Sequence, residues 1–138
     1  MADAVTSQTI IDTEKRVVMK FTNLSDGNGE SAVKKVDVSA LTAHPDGTAC
    51  SQVTIDQIWY DIGGMRLSIY FAASTNALAL TIGGSAAAGN VSGHMDFRSF
   101  GGIKNNAGSG VNGDIKFTTS GHTNLDHYTI VLEMRKQY

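Results

Sequence analysis

One cysteine, one proline and one tryptophan in 138 residues leave little room for several kinds of protein. With Cys50 alone, no intrachain disulfide can form, and an unpaired thiol fits assembly in a reducing cytosol as a small half-buried side chain. No apolar run approaches the roughly 20 residues that a helical membrane span requires, so no membrane partner is expected. Charge of one sign is also missing. Eleven basic and 13 acidic residues give a net charge of -2, and no run of Lys or Arg exceeds two residues (Lys15-Arg16, Lys34-Lys35, Arg135-Lys136). A nucleic-acid footprint needs a basic stripe on one face, so direct nucleic-acid binding is disfavoured. The opening MADAVTSQTIID has two acids and neither a basic n-region nor an apolar h-region, so no secretory signal is expected and synthesis in a cytoplasm is.

Helical periodicity is the last absence; a two-residue period runs through the chain instead. In RVVMKFTN, Val17, Met19 and Phe21 share one face, and SQTII before it can pair back through Asp12 to Lys15. AVKKVDVS (32–39) places Val36 and Val38 together. In VTIDQIWYDI the inward parity changes between Val53/Ile55 and Ile58/Tyr60/Ile62, which predicts a β-bulge near Asp56-Gln57. Gly63-Gly64 predicts a tight hairpin into MRLSIYFA, where Met65, Leu67, Ile69 and Phe71 face inward. ALALTI, HMDFRSF, GDIKFTTS and HYTIVLEMRK supply further strands, with turns at Asp26-Gly27-Asn28-Gly29, Pro45-Asp46-Gly47 and Ser74-Thr75-Asn76. Nine of the 15 glycines lie between Gly83 and Gly113, in what reads as long loops. The expectation is one all-β domain over residues 1–138: a two-layer antiparallel sandwich of eight or nine strands, with the jelly roll among its connectivities. Residues 4–11 read either as an internal hairpin strand or as part of an extended N-terminal arm over residues 1–9. Segments 83–93 and 101–113 are expected to be mobile in the free protein, because glycine raises the cost of ordering.

No constellation carries chemistry. Gly108-Ser109-Gly110-Val111-Asn112-Gly113 matches the letters of the dinucleotide fingerprint but leads into a strand, not a helix whose N-terminus could hold pyrophosphate. Asp26, Asn28 and Glu30 offer too few oxygens for calcium and read as a solvated turn. His44, His94, His122 and His127 lack a third ligand at converging spacing and an adjacent nucleophile. The Asn23 and Asn90 sequons have no signal peptide to deliver them to a transferase. Trp59, Tyr60 and Tyr70 are the elements of a sugar-stacking platform, but with Tyr60 inward only Trp59 and Tyr70 stay exposed, and a core or subunit-contact role is favoured. The expectation is therefore no catalytic residue, no cofactor site and no metal.

The strings VTSQTIIDTEKRVVMKFTNLSDGNGESAVKKVDVSAL, SFGGIKNNAGSGVNGDIKFTTSGHT and DHYTIVLEMRK, taken together, resemble a family of small virion structural proteins of tailed bacteriophages, notably those of cyanobacteria and other marine hosts. The resemblance implies a non-enzymatic virion component, and within that setting small size, β content and near-neutral charge point to a capsid decoration (cement) protein. Its implied partners are the major capsid protein and copies of itself, in a homo-oligomer for which a trimer is one candidate. A tail or neck component and a carbohydrate-binding virion module are the competing functions.

Overall fold

The computed structural model describes residues 4–83, 90–121 and 124–138. Its strands are β1 (Ala4–Asp12), β2 (Arg16–Asp26), β3 (Val33–Val36), β4 (Gln52–Gly63), β5 (Arg66–Phe71), β6 (Ala77–Gly83), β7 (Asn90–Asp96), β8 (Ile115–Ser120) and β9 (Asn124–Gln137). They form a five-stranded sheet in the order β1-β2-β9-β4-β7 and a four-stranded sheet in the order β3-β8-β5-β6. All pairings are antiparallel, and the described residues contain no α-helix, so the expected sandwich is what the chain forms.

The topology is that of a jelly roll with one added strand. β2·β9, β3·β8, β4·β7 and β5·β6 are successive rungs of one long antiparallel ribbon whose tip is the β5–β6 turn. The ribbon rolls up so that β9 comes to lie beside β4, and β8 beside β5. Alternate rungs thereby fall in opposite sheets, which buries one face of every rung against the next turn of the roll.

The core follows from the alternation. Val17, Met19 and Phe21 of β2, Ile58 and Ile62 of β4, and Tyr128, Ile130, Leu132 and Met134 of β9 face Leu67, Ile69 and Phe71 of β5 and Ile115 and Phe117 of β8. Phe117 sits between the layers, edge-on to Phe21 at 5.2 Å and to Tyr128 at 5.9 Å. Burying each of these large side chains contributes roughly 1.5–3 kcal/mol against the conformational entropy of ordering the chain.

The bulge expected in β4 is present. Register against β9 slips between Ile55 and Gln57, and the extra residue, Asp56, lets Val53, Ile55, Ile58 and Ile62 all point inward. Arg135 Nε donates to both Asp56 carboxylate oxygens at 3.0 Å, so the bulge is pinned by a charged hydrogen bond.

One expectation is corrected, and the choice left open for β1 is decided. Gly63-Gly64 is not a hairpin turn, because β4 and β5 belong to different sheets and the chain crosses between layers there. A hairpin and a crossing put the same side chains inward, so alternation cannot tell them apart. Gly64 takes φ +79, a left-handed backbone conformation that glycine adopts at no steric cost and a side chain would strain. Residues 4–9 do not form a free arm either; they pair with β2 from Ala4↔Leu24 to Thr9↔Met19. Finally, the 101–113 segment is tied to the body. Ile55 and Ile103 exchange backbone bonds of 3.0 and 2.8 Å, Asn112 N donates to Ala72 O at 3.3 Å, and Ser74 N donates to Ser109 O at 3.2 Å. Of the other segment expected to be mobile, residues 84–89 lie outside the described residues and 90–93 are part of β7.

Candidate interaction surfaces

The outer face of the five-stranded sheet carries the chain's one tryptophan. A cross-strand rank runs His94, Trp59, Val131, Lys20 and Gln8 over β7, β4, β9, β2 and β1. Trp59 is 37% exposed, and its ring stacks on His94 at 4.8 Å and 10°. Beside that rank runs a hydrogen-bonded chain: Gln57 Nε2 donates to Glu133 Oε2 at 2.9 Å, Arg16 Nη2 donates to the same oxygen at 3.3 Å, and His94 Nε2 lies 2.7 Å from Gln57 Oε1. The Glu133 carboxylate only accepts, so the Gln57 amide nitrogen faces it and the amide oxygen faces His94. His94 therefore carries a proton on Nε2, an assignment made from the network. On the other side of the tryptophan lies a rank of Ser92, Asp61, Thr129, Thr22 and Thr6, mostly exposed, with the Thr6 and Thr22 hydroxyls bonded to each other.

The three aromatic residues of the sugar-platform reading do not come together. Tyr60 packs against the core. Tyr70 alternates with buried Leu67, Ile69 and Phe71 and so lies on the outer face of the other sheet. The ring beside Trp59 is His94, which sequence could not supply because β7 and β4 pair across a long intervening stretch.

The second surface is the β1 edge. Among the described residues β1 pairs with β2 alone, and every side chain from Ala4 to Ile10 is exposed, Val5 at 46% and Ile10 at 50%. No β1 residue joins the core. The strand's root is fixed more firmly than its tip. Lys136 Nζ, fully enclosed, bonds Asp12, donates to Thr13 O at 2.6 Å and to Thr42 O at 2.9 Å, while Thr42 N donates to Asp12 Oδ2 at 3.0 Å. Burial works against the Asp12 charge, but the bonds from Lys136 and Thr42 outweigh it and hold the carboxyl below the usual carboxylate range.

Asp26, Asn28 and Glu30 do not converge. Asp26 Oδ1 accepts from Asn28 N and Nδ2 at 3.2 and 3.1 Å, which is a turn. Glu30 points the other way, into a buried cluster. Its Oε1 accepts from Asn23 Nδ2 at 2.9 Å and from Tyr128 Oη at 2.5 Å, while Oε2 pairs with Lys35. Lys35 turns inward because β3 slips register between Lys34 and Val36, making it an extra residue. The adjacent lysines read as surface charge, and nothing in their spacing announces that one is buried. The Asn23 sequon is buried with this cluster, and the Asn90 sequon opens β7.

The remaining candidates scatter. His44 lies 3.4 Å from Glu14 and 3.0 Å from Asp46, with its ring edge-on to Tyr138, while His127 is half-buried on β9 and His122 lies outside the described residues. Among the described residues no three His, Cys, Asp or Glu side chains group as metal ligands would. Cys50 is buried, donates to Gln52 O at 3.3 Å, and has its thiol pushed up by burial, which makes it a poor nucleophile. The segment 108–113 is the loop that enters β8.

No family model and no curated protein matches the chain. Among solved structures it is similar to the carbohydrate-binding module CBM29-2, studied for ligand recognition by family 29 carbohydrate-binding modules. Identity is 9% and the TM-score 0.33, over 96% of this chain and 92% of that one, a likeness too slight to carry ligand or function across.

Proposed function

We propose that the chain is a non-enzymatic structural protein of a tailed-bacteriophage virion, acting as a head decoration protein that binds the major capsid protein from outside. The observation that carries the reading is the β1 edge, a long strand that buries none of its side chains from Ala4 to Ile10 and keeps one side open to another strand. An exposed strand edge is a liability that proteins guard or cover, and Ala4–Thr9 carry no lysine, proline or charge to guard this one. The sequence resemblance supplies the setting, and jelly rolls serve as viral capsid and lectin domains, an analogy at the level of fold. Attachment of this kind bridges neighbouring capsid subunits through many weak contacts and opposes the pressure of packaged DNA. Quantitative mass spectrometry of purified virions tests it. Hundreds of copies per particle are expected; a few or tens would move the chain to the tail or neck, and absence would overturn the reading.

A second reading, a carbohydrate-binding module, is favoured by Trp59 alone: an exposed indole, backed by His94, beside a rank of hydroxyls and the Asp61 carboxylate. Aromatic faces suit sugar C–H groups, and the flanking rank suits sugar hydroxyls. A glycan array with wild-type protein and Trp59→Ala decides it, since signal that Trp59→Ala abolishes is what this reading requires.

A further inference from the structure

Alternate residues of an antiparallel strand turn both backbone groups to the same side, so half of the N–H and C=O groups of Ala4–Thr9 face away from β2, where the sheet ends. A strand laid there would gain a main-chain ladder along a segment that already has strand geometry. Natural edges are usually guarded by lysine, proline or inward-pointing charge. Residues 4–9, AVTSQT, carry none of these.

The same composition selects the partner. With no charge between Ala4 and Ile11, the segment has nothing to recruit an oppositely charged strand and nothing to repel an identical one. Antiparallel pairing of a strand with its own copy is self-complementary about a two-fold axis, the commonest symmetry of oligomers. An axis through Ser7, perpendicular to the sheet, sets Val5 opposite Thr9 and Thr6 opposite Gln8, pairs of neutral and mostly β-branched side chains that favour strands. The length is bounded as well. The register slip at Ile10 and the Asp12–Lys136 anchor end the flat stretch on one side. Growth beyond two copies is checked at the sheet's other edge, where β7 carries Asp96 paired with Arg98, His94 locked to Gln57, and Gly93.

We propose that β1 is a homodimerisation edge, two copies joining by antiparallel β1–β1 pairing over Val5–Thr9 so that their five-stranded sheets become one continuous sheet. This rests on the virion reading above and deepens it: the second copy takes the β1 edge, and the resulting dimer is the unit that meets the capsid.

Sedimentation velocity with light scattering on the full chain tests it. Wild type is expected at twice the chain mass. Val5→Lys/Thr9→Lys, both at exposed positions, is expected at the chain mass with an unchanged circular dichroism spectrum and melting temperature. An equal mixture of that variant with Val5→Glu/Thr9→Glu should recover the doubled mass, because opposite charges then face each other across the axis. A wild type that stays at the chain mass, a lysine variant that stays dimeric, or a mass above two copies overturns the proposal. Virion occupancy separates its failure from that of the decoration reading: a monomer abundant in virions sinks only the dimer, and a dimer absent from virions sinks only the decoration role.

Discussion

Tyr128 on β9 donates its hydroxyl hydrogen to the Glu30 carboxylate at 2.5 Å across a separation of 98 residues, with both side chains buried. The bond joins the five-stranded sheet to the segment that leads into β3, and Glu30 in turn neutralises Lys35. One end of the sandwich is thus closed by a buried polar cluster.

Removing the anion should cost more than removing the hydroxyl. Glu30→Ala leaves the Lys35 ammonium buried without its counter-charge and should lower stability by about 3–5 kcal/mol. Tyr128→Phe deletes one hydrogen bond to a charged group and should cost about 1.5–3 kcal/mol. Glu30→Leu/Lys35→Met, which removes both charges, should recover most of the loss. Urea denaturation of the three variants checks the order, and a Glu30→Ala loss below that of Tyr128→Phe would contradict it.

That cluster marks where the sequence stopped being legible. Alternation found most of the strands, most of the inward sets and the Asp56 bulge, because each is a local consequence of a two-residue period; it set Leu78 inward with Leu80 and Ile82, but a register slip puts Leu78 opposite outward-facing Tyr70 and leaves it 51% exposed, and it read HMDFRSF as a strand where β7 ends at Asp96. It placed β1 only as a choice between hairpin and arm. It misread Gly63-Gly64, since a corner between sheets and a tight hairpin have the same glycine signature and leave the same residues inward. It set Glu30 with Asp26 and Asn28 in a turn, because the partners that bury it, Lys35, Asn23 and Tyr128, meet it only after the ribbon has rolled up. The Trp59–His94 stack was hidden for the same reason: Trp59 reads as outward-facing, but its neighbour depends on β7 docking beside β4.

Stability should fall in acid partly through Asp12. Its carboxyl in the folded protein titrates below its unfolded value, so the unfolded chain takes up the proton first as pH drops below about 4. The contribution is complete above that pH and is lost as pH falls through the folded-state value. Asp12→Asn should therefore be less stable than wild type at neutral pH, with the gap narrowing in acid. Urea midpoints measured across that range check the sign. The Asp96 carboxyl, held down to about 2 by its hydrogen bonds to Arg98, belongs to an exposed pair and should add little to this effect.

The Gly-rich loop should respond very unevenly to alanine. Gly113 has φ +86, and an added Cβ would lie 1.9 Å from the Ser51 carbonyl oxygen. Gly113→Ala must displace backbone that leads into β4 and should cost at least about 2 kcal/mol. At Gly108, which has no left-handed φ, an added Cβ would meet no heavy atom within 4 Å among the described residues. Gly108→Ala should be neutral or stabilise by up to about 1 kcal/mol, because it reduces the freedom of the unfolded chain. Thermal melts of the two variants give the contrast, and similar losses in both would show that the loop's glycines act through flexibility rather than close approach.

Truncation separates a strand that stabilises from one that binds. Deleting residues 1–9 removes the ladder between Ala4 and Thr9 and β2, worth about 0.5–1.5 kcal/mol net per bond, but it also removes the cost of ordering those residues, about 1–2 kcal/mol each. The lost side chains from Ala4 to Thr9 are all exposed, so no core area goes with them, and the Asp12–Lys136 anchor remains. The two terms nearly cancel. The truncated chain should therefore fold, with a melting temperature within a few degrees of wild type, whereas Phe21→Ala, which empties a fully buried site in β2, should cost about 3–5 kcal/mol. What the deletion should abolish is association, in the wild-type dimer and on the virion alike. A truncated protein that cannot fold would make β1 a structural strand, and one that folds and still occupies virions at full stoichiometry would show that attachment runs through another surface.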